Sequence, residues 1–122
     1  MDGCSRDSIA EAIAAHGSWK RELADAVRNG RCEVSASQAA DAGSCALGRW
    51  LLGSGASLAG TAEYAEVRAA HVELHRLAGE VIELVVAGRV FEARVATSAS
   101  SRFAGASAAL TLALVRWQDE AA

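Results

Sequence analysis

Apolar side chains recur every three or four residues along most of this chain, which is the spacing of one face of an α-helix. In the first such stretch the recurring positions are Ile9, Ile13, His16, Trp19, Leu23 and Val27. Ser8 and Glu11 match a capping box at the start of this stretch, and Asn29-Gly30 ends it with a residue suited to a left-handed C-terminal position. The pattern predicts a helix from Ser8 to Asn29.

Two further long helices are predicted in the second half of the chain. Thr61 and Glu63 begin a helix that ends near Gly88, with an apolar face made of Tyr64, Val67, His71, Leu74, His75, Ala78, Ile82 and Val85. A last helix is predicted over residues 90–120, with a buried stripe of Ala99, Phe103, Ala106, Leu110, Ala113, Leu114 and Trp117. Residues 97–101 have low helix propensity, which predicts a bend or fraying there.

The segment between the first and second long helices is richer in small residues. Residues 31–43 are predicted to be a connector with a short turn near Gln38, and residues 44–52 a short helix that carries Cys45. Gly53-Ser54-Gly55 ends that helix. The chain shows neither an internal repeat nor the alternation typical of strands. We therefore predict an all-α fold, an antiparallel four-helix bundle of three long helices and one short helix bearing Cys45.

Length and composition agree with one closely packed helical domain. The 122 residues are enough for a single domain, residues 1–122, with its core at about residues 8–117. Apolar residues make up 52% of the chain, although 29 of them are Ala, and there is no Pro. A net charge of -3 without a basic stripe argues against nucleic acid as a partner.

The sequence predicts a cytoplasmic protein that does not enter a membrane. A membrane-spanning helix needs about 18 or more apolar residues, and the longest candidate, residues 104–115, is interrupted by polar residues. The acidic N-terminus lacks the apolar region of a signal peptide. Three cysteines argue against a disulfide framework and leave metal binding or redox chemistry open. Cys4 and Cys32 are expected to be free thiols in loops; the alternative is a regulatory disulfide between them.

The three histidines all fall on helix faces that otherwise consist of core residues. His71 and His75 are four residues apart, so that two imidazoles can reach one metal ion. With His16 from another helix and Cys45 from the short helix, they form a closed tetrahedral donor set for Zn²⁺. The alternative is that each is a core histidine with its own hydrogen-bond partner, whereas a shared metal would satisfy all three together.

Three blocks of sequence around these residues resemble a known family. They are His-Gly-Ser-Trp-Lys-Arg-Glu-Leu at 16–23, Cys-Ala-Leu-Gly-Arg-Trp-Leu at 45–51, and His-Val-Glu-Leu-His-Arg-Leu-Ala-Gly at 71–79. In this order and spacing they are similar to the chemoreceptor zinc-binding (CZB) domain of bacterial signalling proteins. The resemblance covers roughly residues 8–117 and implies a four-helix bundle, often dimeric, with zinc held by His16, Cys45, His71 and His75.

The resemblance also implies a role in signal transduction such as chemotaxis. Members are usually fused to a chemoreceptor signalling region or a diguanylate cyclase, and we expect this chain, without an output domain, to be either a free-standing version or a fragment. The stimulus it implies is zinc itself or oxidation of Cys45 by an oxidant such as hypochlorous acid. Four ligands leave zinc no open position, so we expect no enzyme activity.

Further expectations concern the surroundings and the alternatives. Trp19 and Trp50 are expected to wall the zinc site or, alternatively, to be ordinary core aromatics. Lys20 and Arg49 are expected at the solvated surface; the alternative is that their charge holds the Cys45 thiolate. The apolar excess fits a homodimer. The alternatives are a haem- or metal-binding helical bundle, and a structural dimerisation module with an incidental zinc.

Overall fold

The computed structural model describes residues 3–31, 35–43 and 45–121. These residues contain six α-helices and no strand, which confirms the all-α prediction. In chain order the elements are α1 (Gly3–Asn29), α2 (Ala36–Ala40), α3 (Ala46–Leu52), a 3₁₀ helix (Ser54–Leu58), α4 (Ala62–Val86), α5 (Val90–Ala96) and α6 (Arg102–Ala121). Helices α1, α4 and α6 are the three long ones; the antiparallel four-helix arrangement stays a prediction.

The first helix begins earlier than predicted. It starts at Gly3, so Ser8 and Glu11 lie inside α1 and the predicted start at Ser8 is wrong. A capping box is a local pattern, and it marks the start of a helix only where the residues before it are not helical. At the other end the prediction is confirmed, because α1 ends at Asn29 and Gly30 follows with a φ of 72°.

The predicted last helix is divided into two. Helix α5 ends at Ala96, and α6 begins only at Arg102. Between them the Thr97 hydroxyl donates to the Ala93 carbonyl at 3.0 Å, and the Ser101 Oγ accepts the Ala104 N–H at 3.1 Å. Hydroxyl side chains that bond nearby backbone groups offer an alternative to helical hydrogen bonds. The predicted bend at residues 97–101 is thus a break.

Helix α4 lies at the centre of the fold. All eight residues of its predicted apolar face are buried, and the helix packs against α6 and α2. Helix α1 packs mainly against α6 and also contacts α3, α4 and α5. On α6 the predicted stripe is buried from Phe103 to Trp117, with Ala106 half-buried, whereas Ala99 lies exposed in the link before the helix. A residue presented by α4 therefore meets side chains from most of the other elements.

Within the described residues, none of the helices combines the length and the hydropathy that crossing a membrane requires.

Candidate metal centre

The three histidines are buried as the sequence predicted. His16 lies in the middle of α1 and is 7% exposed; His71 and His75 lie on α4 and are 1% and 2% exposed. The rings of His71 and His75 have centroids 4.6 Å apart, and the His16 ring lies 5.0 Å from His71. The apolar periodicity of α1 and α4 turns these faces towards each other, and the imidazoles therefore meet inside the protein.

Cys45 joins the histidines from the start of α3. It is the N-cap residue of that helix rather than a residue within it, and its side chain is half-buried. The Gly48 N–H donates to Cys45 Sγ at 3.4 Å, as expected for an N-cap side chain. Sγ lies 3.1 Å from His71 Nε2 and 3.8 Å from His16 Nε2.

A glycine allows this start of α3. A Cβ added at Gly48 would lie 1.8 Å from the Ala42 carbonyl oxygen, so no other residue fits there without moving the backbone. Gly48 is buried, and the chain that leads into Cys45 passes directly over it. The position of the Cys45 thiol thus depends on a close backbone approach.

One potential ligand atom from each of His16, Cys45, His71 and His75 lies within 4.8 Å of all the others. Tetrahedral zinc has bonds of about 2.0–2.1 Å to nitrogen and 2.3 Å to sulfur, which places neighbouring ligand atoms roughly 3.4–3.6 Å apart. The two sulfur–nitrogen distances of 3.1 and 3.8 Å lie on either side of this range. Since the donor atoms spread over up to 4.8 Å, the four side chains would draw closer together to share one ion.

Burial keeps the histidines neutral at pH 7. It lowers the pKa of His16 to about 4, with smaller contributions from His75 and Lys20, and that of His71 to about 3, with contributions from His75 and His16. The pKa of His75 is lowered as well, again by burial, against the opposing effects of the Ala39 carbonyl and Asp41. Metal ions bind neutral imidazole, so these rings do not have to lose a proton at pH 7 before binding one.

The hydrogen bonding of the rings also fits a metal ion. Nδ1 of His75 bonds the Ala39 carbonyl oxygen at 2.9 Å, while Nε2 of His75 is buried with no partner among the described residues. Nδ1 of His16 is buried and unpartnered too. An unsatisfied buried polar atom costs about 1–3 kcal/mol. A metal bound at His75 Nε2 would remove that cost at the same time as it used the atom.

The two tryptophans take different places. Trp19 contacts the site, since its ring centroid lies 4.6 Å from that of His75 and 5.4 Å from that of His16. In the described part of the chain Trp50 has no ring contact with an imidazole; it contacts Trp117 at 5.3 Å, within the core. Trp19 therefore walls the cluster, and Trp50 fits the alternative of an ordinary core aromatic.

The other sequence predictions around the site have mixed outcomes. Lys20 and Arg49 are exposed, as expected. Cys4 lies within α1, so the prediction that it is in a loop is wrong. The side chain of Cys4 and all of Cys32 lie outside what the structure describes. Sequence reasoning missed the Ala39 carbonyl and the close approach at Gly48. A backbone acceptor has no signature of its own in a sequence, and the glycine three residues after Cys45 was the one available signal.

Comparison with known proteins identifies the family. Searches among curated proteins and among solved structures found no match. The family described as the chemoreceptor zinc-binding domain matches residues 16–82, more than half of the chain but less than the 8–117 covered by the resemblance. The match includes His16, Cys45, His71 and His75, the same four residues whose donor atoms converge in the fold. This chain belongs to the chemoreceptor zinc-binding domain family.

Proposed function

We propose that this protein is a zinc-binding regulatory domain of bacterial signal transduction, with one zinc held by His16, Cys45, His71 and His75. The observation that carries the proposal is the convergence of four donor atoms, each within 4.8 Å of the others, from three separate segments of the chain. Two of these segments are helix interiors and the third is a helix start, so the fold supplies the set as a whole.

The donor set favours zinc over other metal groups. Three imidazoles and one thiolate suit Zn²⁺, whereas Mg²⁺ and Ca²⁺ prefer oxygen ligands, and the cluster contains no carboxylate. A haem is disfavoured because the His16 ring lies only 5.0 and 5.7 Å from the rings of His71 and His75, which leaves no space for a porphyrin among them.

The residues of the site support regulation rather than catalysis. His16 and His71 offer lone pairs at pH 7, and the Gly48 N–H donates to Cys45 Sγ and holds the sulfur in place. A zinc ion with four protein ligands would supply a structural link without an open position for a substrate. Cys45, through that link, would fasten the start of α3 to α1 and α4.

Cys45 is also the ligand through which a signal can enter. It is half-buried, whereas the three histidines are buried, so a small oxidant reaches it first. With hypochlorous acid as the oxidant, the thiolate forms an S–O bond and becomes a sulfenic acid, while the oxidant's chlorine leaves as chloride with the electron pair. Either this oxidation or a fall in free zinc would release α3.

We further propose that the domain acts as a homodimer in the cytoplasm and passes its state to an output partner such as a chemoreceptor or a diguanylate cyclase. A cysteine ligand has to stay reduced, and the cytoplasm is a reducing compartment that keeps thiols from forming disulfides. Several large apolar side chains are exposed, with Phe91 at 76%, Val86 at 71% and Leu52 at 66%, and a second copy could bury such side chains. A monomer mass by light scattering would contradict the dimer.

Elemental analysis of the purified protein tests the metal site. We expect about one zinc per chain in the wild type, and none in Cys45→Ala or His71→Ala, because each variant removes one of four ligands. Val72→Ala, at the exposed position next to His71, is the matched control and should keep its zinc. A wild type that stays free of zinc after zinc is supplied would overturn the proposal.

Mass spectrometry after treatment with hypochlorous acid separates the two stimuli. The redox version expects Cys45 to be oxidised as zinc is released. If Cys45 stays unmodified while Cys4 and Cys32 react, the redox version fails and zinc availability is the remaining stimulus.

A signalling assay in a host tests the alternative of a structural module. If Cys45→Ala loses zinc without changing signalling output, the metal is incidental to a structural dimerisation module.

A further inference from the structure

The short helix α2 lies against His75, and its contact decides which nitrogen of that ring is free. The Ala39 carbonyl oxygen is 2.9 Å from His75 Nδ1. A carbonyl only accepts hydrogen bonds, so Nδ1 must carry the hydrogen and donate it. In a neutral imidazole the lone pair is then on Nε2, the atom that is buried without a partner in the described part of the chain.

The end of α2 provides this acceptor because of its length. The last four carbonyls of an α-helix have no partner within the helix, and α2 has only five residues. The Gln38 carbonyl accepts the Asp41 N–H at 3.2 Å, and the Ala39 carbonyl is thereby left to His75. The hydrogen bond is buried, since Ala39 is 6% and His75 is 2% exposed.

Gly79 sets the distance between α2 and α4. It lies one turn after His75 on α4, and a Cβ added there would be 2.8 Å from Ala40 Cβ and 3.1 Å from the Ala36 carbonyl oxygen. Glycine is unfavourable in a helix interior compared with alanine, so its place in the middle of a 25-residue helix has a packing reason. That reason is the close approach of α2.

Helix α2 does not hold its conformation by itself. Five residues are too few for a helix that is stable by itself. Its own contribution is the capping box, in which the Ser35 N–H donates to Gln38 Oε1 at 2.9 Å and Ser35 Oγ accepts the Gln38 N–H at 3.2 Å. Its position therefore comes from packing against α4, where Gly79 allows the close approach and His75 provides a hydrogen bond.

We propose that α2 is a positioning element for the metal ligand His75: Gly79 seats the helix, and the Ala39 carbonyl holds the imidazole in the tautomer whose Nε2 is free to bind the metal. The proposal rests on the proposed function, since it concerns the same site. Groups that orient a metal-bound histidine typically change metal affinity by about 10- to 100-fold when they are disturbed. Gly79 is thus a positioning residue that does not touch the metal.

The first measurement is zinc affinity by competition with a chromophoric chelator. Gly79→Ala is expected to bind zinc about 10- to 100-fold more weakly than the full-length wild type. Gly105→Ala is the matched control, because it is the same change inside α6, where a Cβ meets nothing within 4 Å. Its affinity should equal that of the wild type. The double variant Gly79→Ala/Ala40→Gly removes the closest clash and should recover most of the lost affinity.

The second measurement reports the tautomer of His75 directly. Long-range ¹H–¹⁵N NMR of the zinc-free and zinc-loaded wild type should show the hydrogen on Nδ1, protected from exchange. In Gly79→Ala that hydrogen should exchange faster. A wild-type His75 with its hydrogen on Nε2 in the zinc-free protein would overturn the proposal even if the variant does not fold.

The outcomes separate the two proposals. If the wild type and Gly79→Ala bind zinc equally well, the positioning role is wrong and the proposed function stands. If Gly79→Ala binds weakly but the His75 signals are unchanged and Ala40→Gly does not restore affinity, Gly79 has only a general packing role. A wild type that binds no zinc overturns both.

Discussion

The candidate site joins two regions that are held together differently. The long helices α1, α4 and α6 bury a nearly continuous apolar core, in which Trp117, Ile9 and Ile82 are almost completely inaccessible. Two of them, α1 and α4, bring the three histidines. The short-helix segment, residues 35–43 and 45–58, brings Cys45 and the Ala39 carbonyl and buries few large side chains, chiefly Leu47 and Leu51.

This difference shows where the metal contributes most. The long helices are stabilised by burial of apolar area, which needs no ligand. The short-helix segment has helices of five and seven residues, too short to be stable alone, and is attached through caps, close glycine contacts and the site itself. We therefore expect zinc binding to act mainly on the short-helix segment and only slightly on the long helices.

Removal of zinc should have the largest effect and should be confined to one region. At a free zinc concentration of 1,000 times the Kd, binding adds about 4.1 kcal/mol to any opening that breaks the site. After chelation we expect the amide of Leu51 to exchange about 1,000-fold faster, while that of Leu110 in α6, a helix that carries none of the four ligands, changes less. Hydrogen exchange measured with and without chelator checks this, with Cys45→Ala in zinc as a control. An equal increase in both regions would contradict the comparison.

A cavity in the long helices should have the opposite pattern. Leu110→Ala removes a side chain that is 2% exposed and should lower the free energy of unfolding by about 2–5 kcal/mol while zinc stoichiometry is unchanged. Leu112→Ala, on the same helix but 51% exposed, is the matched control and should change it by about 0.5 kcal/mol or less. Urea denaturation gives both values; loss of zinc from Leu110→Ala would show that the regions are not separable.

Acid should destabilise the zinc-free protein through the buried histidines. The pKa values of His16 and His71 are lowered to about 4 and 3 from an ordinary 6.5, so between these values the unfolded chain binds more protons than the folded one. Stability is then complete above about pH 6.5 and is lost as the pH falls. From pH 7 to 6 we expect a loss of about 1 kcal/mol. Denaturation at both pH values should show this loss, and a His16→Ala/His71→Ala variant should show a smaller one.

The smallest effect compares two helix caps of similar geometry. Ser35 Oγ caps α2 by accepting the Gln38 N–H, and Thr61 Oγ1 caps α4 by accepting the Tyr64 N–H, both at 3.2 Å. Loss of either cap costs about 1 kcal/mol. Ser35→Ala should weaken zinc binding about fivefold, because α2 holds His75. Thr61→Ala should lower the free energy of unfolding without a change in zinc affinity. Weaker zinc binding by Thr61→Ala, together with unchanged binding by Ser35→Ala, would contradict the comparison.

Periodicity predicted the long helices and their buried faces well. All eight residues of the predicted α4 face are buried, because the spacing of apolar residues fixes a helix face without reference to the rest of the chain. The ends of the helices were predicted less accurately, because the place where a helix begins depends on residues outside the periodic stretch. The capping pattern at Ser8 is compatible with a helix interior, and whether α1 continues to Gly3 depends on the residues before it.

The partners of individual side chains could not be predicted in the same way. Trp19 and Trp50 each lie in one of the sequence blocks that resemble the family, yet Trp19 contacts His75 and Trp50 contacts Trp117. Gly48 and Gly79 look like ordinary small residues in the sequence. Their meaning comes from Ala42 and Ala40, which lie on other parts of the chain and approach only in the folded state.

The sequence by itself determined an all-α protein, three inward-facing histidines and a cysteine of the right chemistry to join them, because residue type and helical spacing are local properties. The tertiary structure decided that the four donors lie within 4.8 Å of one another, that Cys45 begins a helix, and that Ala39 selects the nitrogen of His75. These depend on how closely separate helices approach, and that distance is set by packing between residues far apart in the chain.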